Sequence, residues 1–172
     1  MTTSTSTHLN RLTVKETTDA LSSVINALTH NDNGALVAGA DIEIVSYGVS
    51  NNLQVRDYLM GLPVSLGLGE SFNVVTAIRN MAEQLGADTM ALDTVLAAYS
   101  LMNDEPRNAE RLLSKGLENN YALANLLHRV IVAGWPADAL LSMAQELAPL
   151  VDIELLNTAH DLVNESLRDS EE

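Results

Sequence analysis

The sequence predicts an all-α protein, an antiparallel array of about six to eight amphipathic helices. Hydrophobic residues make up 47% of the 172 residues and aromatic residues only 3%, an aliphatic composition that suits packed helices better than sheets. Apolar residues recur at helical spacing along most of the chain. Glycine, proline, asparagine and aspartate punctuate these runs, which indicates short connections between helices.

Three predictions concern the first fifty residues. Residues 1–12 are rich in threonine and serine and have little to bury, so we predict a flexible arm. "TVKE", residues 13–16, has the spacing of a capping box and predicts the start of the first helix. Residues 35–49 contain "DIEIVSY", which alternates partly like a strand, and we predict irregular or short β structure there.

The rest of the chain predicts a succession of helices. "NLQVRDYLMGL", residues 52–62, indicates a short helix closed by Gly61. Ser71 is expected to cap a helix that runs to Gly86, and Asp88 the helix that follows. Later helices are expected to begin near Pro106, Tyr121, Pro136 and Asp152. Residues 13–168 are therefore predicted to form a single helical domain, followed by an acidic tail, 169–172.

The last predicted helix, residues 152–168, carries one apolar stripe. It consists of Leu155, Leu156, Ala159, Leu162, Val163 and Leu167. Leu156 and Val163 are candidate interface residues on the stripe, and Asp161 and Glu165 are candidates outside it. Because the connection around Pro149 is short, we expect the stripe to pack on the preceding helices of the same chain rather than solely on a partner.

The charge of the chain excludes some functions. Its formal net charge is −14, and nine acids but one base lie between Ala137 and Glu172. Such a surface repels phosphates and anionic lipids, so neither direct nucleic-acid binding nor membrane binding is expected. It could serve for solubility, attract a basic partner or imitate DNA. With no signal-peptide pattern and no membrane-length apolar run, we expect a cytoplasmic protein.

Motifs for catalysis or cofactor binding are missing from the sequence. "SLGLGES", residues 65–71, has closely spaced glycines but lacks the lysine and spacing of a phosphate loop, and predicts a bend before a helix. The four histidines are scattered, so no metal site is predicted. There is no cysteine and no nucleophile elbow. We therefore expect no cofactor and no enzymatic activity.

Three residues are the best candidates for a functional role. Arg56 and Asp57 in "VRDY" could recognise a ligand or brace neighbouring helix ends, with Asp57 as a cap. Trp135 in "GWP" is the only tryptophan, and it could cover the turn between two helices or anchor an interface.

Two stretches resemble a known family. "LQVRDYLMGL" (residues 53–62) and the stretch from "LAAYSLMNDEP" to "AGWP" (residues 96–136) resemble the C-terminal helical part of an actinobacterial family known as domain of unknown function number 4192. The resemblance implies a helical fold and an origin in an actinobacterium or its phage, and the family has no assigned activity. The helical pair in the second stretch also resembles one tetratricopeptide-like hairpin, with Ala109, Leu113, Gly116 and Leu117 at packing positions, and Gly116 is expected to permit close helix approach.

These observations lead to three functional hypotheses. The first is a non-enzymatic helical protein that binds a protein partner or a copy of itself. The second is an acidic protein that mimics DNA and inhibits a nucleic-acid-binding protein. The third is a small-ligand binder or enzyme with an apolar pocket near Arg56.

Overall fold

The computed structural model describes Leu9, residues 12–29 and residues 37–146. The helices are α1 (Val14–Thr29), α2 (Gly39–Asn51), α3 (Leu53–Leu66), α4 (Leu68–Gln84), α5 (Met90–Met102), α6 (Pro106–Glu118) and α7 (Ala122–Ala133), and residues 137–146 form α8. No strand occurs in these ranges, and the all-α prediction is confirmed. The predicted flexible arm lies almost wholly outside the described residues.

The capping box at the start of α1 is confirmed. The Thr13 amide donates to Glu16 Oε2 at 2.8 Å, and the Glu16 amide donates to Thr13 Oγ1 at 3.2 Å. Each side chain therefore satisfies a donor that the helix itself leaves unpaired. The face of α1 that contacts the core buries Leu21, Val24 and Ile25.

The prediction of irregular or short β structure over residues 35–49 is wrong, because α2 covers Gly39–Asn51. Its buried residues include Ile42, Val45, Ser46 and Val49, which are spaced as one helical face. That face packs on α1, α4 and α5. Burial of the stripe outweighs the modest preference of isoleucine, valine and tyrosine for strands.

The helix α3 is longer than predicted. It does not close at Gly61 but continues through Pro63 to Leu66, and Gly67 ends it with a φ of 80°. At its start the Asn52 side chain accepts the amides of Gln54 and Val55, so Asn52 rather than Asp57 is the cap. Glycine in a helix interior is tolerated when burial favours the helix, and Gly61 is buried.

The boundary between α3 and α4 also differs from the prediction. Ser71 is not a cap but a buried residue in the first turn of α4, and its hydroxyl donates to the Gly67 carbonyl at 2.8 Å. The helix starts at Leu68 because the positive φ of Gly67 provides the bend. Asp88 is not the N-cap of the next helix either, because Thr89 occupies that position, although the Asp88 Oδ1 accepts the Met90 amide at 3.2 Å.

The helix α5 is the centre of the described structure. Every residue from Ala91 to Leu101 is buried, as expected for a helix surrounded by others. It packs on α2, α3, α4, α6 and α7. Residues such as Val95 belong to the core shared with α1–α4, whereas Ala98 and Leu101 belong to the core shared with α6 and α7.

A charged group is accommodated within this central helix. The Asp93 side chain is 12% exposed, and its Oδ1 accepts from Arg79 Nε at 2.9 Å. Its Oδ2 accepts the Thr89 hydroxyl at 3.0 Å. The hydrogen bond to Asp93 is the main reason that the pKa of Arg79 lies above its usual value. The pair joins α4 to α5.

Four helices end in the same type of turn. The residues with left-handed backbone after α4, α5, α6 and α7 are Gly86, Asp104, Asn120 and Gly134. In each case the amide of the next residue donates to the carbonyl five positions earlier, for example Trp135 to the Val130 carbonyl at 3.2 Å. These are Schellman motifs, which satisfy the last carbonyls and reverse the chain. They allow three-residue connections on both sides of α6 and between α7 and α8.

The role predicted for Gly116 is confirmed. A Cβ atom at this position would lie 2.6 Å from the Ala124 Cβ, well inside van der Waals contact. Glycine on α6 and alanine on α7 therefore let the two helices pack closely.

No helix in the described ranges is long and apolar enough to cross a bilayer.

Candidate functional site

An apolar groove of about 480 Å³ opens between α3, α5, α7 and α8. Both α3 and α7 pack on α5, and the groove lies between these two walls. Ala98 and Met102, one turn apart on α5, line the base. Because Ala98 is small and buried, the helix surface is recessed between its neighbours.

The helix α7 supplies one wall. Leu123, Leu126, Leu127 and Val130 line it at spacings of three, four and seven residues, which places them on one helical face. Leu127 is buried, whereas Leu126 is 56% exposed. This wall therefore runs from the core to the outer rim of the groove.

The turn after α7 places Trp135 at the groove. Gly134 adopts left-handed backbone, and the Trp135 amide donates to Val130, which also lines the groove. The tryptophan side chain is 50% exposed. On α8, Met143 lines the same groove and is 47% exposed. Tryptophan and methionine present large apolar surfaces that adapt well to a binding partner.

Arg56 and Asp57 form the main polar feature of the opposite wall. Arg56 Nε and one terminal nitrogen donate to Asp57 Oδ1 at 3.0 and 2.8 Å. Burial disfavours the charged arginine, but hydrogen bonds with Asp57 and Tyr121 outweigh this effect and raise the pKa of Arg56. The Arg56 side chain is 18% exposed and Asp57 44%. The pair thus presents little net charge to the groove.

The chemistry available to this groove is mainly the burial of apolar surface. Apart from Arg56 and Asp57, its charged lining residue is Arg129. Within the described ranges, no group of three or more histidines and carboxylates is placed to hold a metal ion. His128 has a buried Nδ1 without a hydrogen-bond partner among the described residues, but it does not line the groove.

The structure brings together residues that the sequence indicated separately. Arg56, Asp57 and Trp135 all line the groove. The other candidates, Leu156, Asp161, Val163 and Glu165, lie outside the described residues.

Sequence reasoning missed the leucines of α7 and Met143. The signal that could have revealed them is the composition of α7, "ALANLLHRVIVA". It is apolar on more faces than packing against α5 and α6 can bury, which indicates a second contact surface.

Comparison with known proteins adds no relative. No protein-family model matches the chain, and no curated protein or solved structure matches it either. The resemblance to domain of unknown function number 4192, the tetratricopeptide-like hairpin and the cytoplasmic location remain predictions from the sequence.

Proposed function

We propose that the chain is a non-enzymatic protein-interaction protein whose groove binds the apolar face of a partner's amphipathic helix. One observation carries the proposal. Leu126, Trp135 and Met143 line the mainly apolar groove, and each of these large apolar side chains is about half exposed. Large apolar side chains that rim a concavity are typical of protein-binding surfaces.

The shape of the groove favours a helix over other segments. Its walls are themselves helices, and α7 offers apolar contacts at each turn from Leu123 to Ala133. An incoming helix with apolar residues at intervals of three and four could insert them between these side chains. An extended strand would leave its backbone amides and carbonyls against an apolar wall, which is unfavourable.

Site-specific photo-crosslinking tests this proposal. A photo-crosslinking amino acid replaces Leu126 at the rim of the groove. In the control protein it replaces Val132, which lies on the same helix, is 75% exposed and does not line the groove. We expect the probe at Leu126 to give one discrete adduct in cells of the source organism, and Met143→Asp to abolish it. Equal amounts of partner adduct from both positions, or no partner adduct from Leu126 even in a Leu156→Asp/Val163→Asp background, would contradict the proposal.

A small apolar ligand is the second candidate. The volume of about 480 Å³ lies in the range typical of ligand pockets. Arg56 lines the groove, but its donors are largely directed to Asp57. Native mass spectrometry of the purified protein tests this candidate. A stoichiometric small molecule that is lost in Ala98→Leu would favour it, and a mass equal to that of the chain alone would count against it.

The DNA-mimic hypothesis depends on how the carboxylates are arranged. Of the nine acids between Ala137 and Glu172, only Asp138 and Glu146 belong to the described residues. The hypothesis therefore remains a prediction from composition, with steeply salt-dependent binding to a nucleic-acid-binding protein as its test.

A further inference from the structure

We infer that the chain's own segment 152–168 occupies the groove when no partner is bound, so that partner and segment compete. This inference rests on the proposed function of the groove. The first observation concerns α8. The described part of this helix ends at Glu146, and its residues Leu140, Met143 and Ala144 line the groove. The segment that follows is therefore attached directly to a wall of the groove.

The connection has a suitable length. Five residues, 147–151, separate Glu146 from Asp152. Connections of two to eight residues are usual between neighbouring helices, and five residues span at most about 18 Å. The preceding helices α5 to α8 are joined by connections of three residues and pack on their neighbours. A return of the next helix onto this face continues that arrangement.

The residue pattern of the segment fits an apolar groove. Its stripe, defined above by Leu155 to Leu167, faces one side of the predicted helix, and Glu154, Asp161 and Glu165 lie on the opposite side. With the stripe in the groove, these three carboxylates remain in water and away from Asp57. Desolvation of these three carboxylates, which would be strongly unfavourable, is therefore avoided.

Competition has a measurable consequence. A partner binds only the fraction of molecules whose groove is open, so its apparent affinity falls by that fraction. Because the segment is tethered, its effective concentration is on the order of millimolar. Even a weak segment can therefore keep the groove mostly closed, and a partner helix must displace it.

Engineered cysteine pairs test the inference on the full chain, which has no natural cysteine. Leu126→Cys is combined in turn with Leu156→Cys, Leu162→Cys and Val163→Cys. The matched control combines Val132→Cys with the same three positions. Under mild oxidation we expect at least one groove pair to form an intramolecular disulfide about tenfold faster than its control. Equal rates for all pairs overturn the inference, and disulfide-linked dimers would instead assign the groove to a second copy.

The two proposals fail in different ways. If no groove pair outpaces its control but the photo-probe at Leu126 still captures a partner, only the competition is wrong. If a groove pair closes rapidly and the probe captures no partner even in Leu156→Asp/Val163→Asp, the proposed function is wrong. In that case the groove is a packing site within the fold.

Discussion

The Tyr99 hydroxyl donates a hydrogen bond to the backbone carbonyl of Leu59, the acceptor that Pro63 leaves without its helical donor. In a regular helix the amide of residue 63 would donate to this oxygen, but proline has no amide hydrogen. Tyr99 is fully buried, and burial raises the pKa of its hydroxyl far above the usual value, so it stays a neutral donor. One side chain on α5 thereby replaces the donor that Pro63 lacks in α3, the helix that carries Arg56.

Replacing Tyr99 with phenylalanine should be destabilising for this reason. The buried Leu59 carbonyl would lose its donor, and an unsatisfied buried acceptor costs about 1–3 kcal/mol. In a Pro63→Ala background the new amide can donate to Leu59, so Tyr99→Phe should cost less than half as much there. Urea unfolding of the four proteins measures both costs. Identical costs in the two backgrounds would show that Pro63 and Tyr99 are not coupled.

Close packing of α6 on α7 should make Gly116 sensitive to a single methyl group. We expect Gly116→Ala to lower the free energy of unfolding by about 1–3 kcal/mol because its Cβ would overlap Ala124. Ala124→Gly should restore part of the loss. Gly69→Ala is the control, since a Cβ there meets nothing within 4 Å and a helix favours alanine. An equally large loss of thermal stability in Gly69→Ala would contradict this explanation.

The turn after α5 offers a stabilising substitution. Asp104 has a φ of 60° without being glycine, and left-handed backbone strains most side chains by about 1–2 kcal/mol, although aspartate tolerates it better than most. Asp104→Gly should therefore raise stability by no more than about 1 kcal/mol, because the larger entropy of unfolded glycine offsets part of the relieved strain. Gly86→Ala is the opposite control, because Gly86 has a φ of 74° and open space around it. Calorimetry should show melting temperatures that move in opposite directions.

Acid should weaken one link between α6 and the start of α5. Lys115 Nζ lies 2.6 Å from Asp88 Oδ1, and this hydrogen bond is the main reason that the pKa of Asp88 is lowered. Because the pKa of Asp88 is lower in the folded state, the ion pair stabilises the fold fully above the unfolded pKa of about 4. This stabilisation is lost as the pH falls through the folded pKa. Both side chains are more than half exposed, so the effect should stay below about 1 kcal/mol.

The comparison of the protein with Asp88→Asn measures this effect. In urea unfolding at about pH 7 the variant should be less stable, and the difference should shrink toward zero at about pH 2. A difference that persists unchanged in acid would mean that the carboxylate charge is not responsible.

Local signals in the sequence predicted much of the fold. The capping box at Thr13 and Glu16 and the all-α class depend on residues within one or two turns of each other, and the close approach at Gly116 involves Ala124, which is only eight positions away on the next helix. The prediction failed for α2, where β-branched residues become helical because neighbouring helices bury Ile42 and Val45. It also failed at Gly61, where burial inside the array decides the conformation rather than the residue itself.

The candidate site was less predictable for a related reason. Arg56 and Trp135 were indicated singly, but 79 positions separate them in the sequence. What joins them is the packing of α3 and α7 on α5 and the small side chain of Ala98 between the two walls. No pattern within a single helix contains that information. The excess of apolar residues on α7 indicated a surface but not what it faces.

The most direct test of the central claim is the affinity of the partner helix captured at Leu126 for two matched variants. Leu126→Asp places a charge on the groove rim, and Val132→Asp places the same charge on an exposed position of α7 outside the groove. Isothermal titration calorimetry should show that Leu126→Asp weakens binding by about tenfold or more, as expected when an apolar anchor is lost, while Val132→Asp binds like the unmodified protein. Equal affinities for both variants, with both proteins folded by circular dichroism, would contradict the assignment of this groove as the binding site.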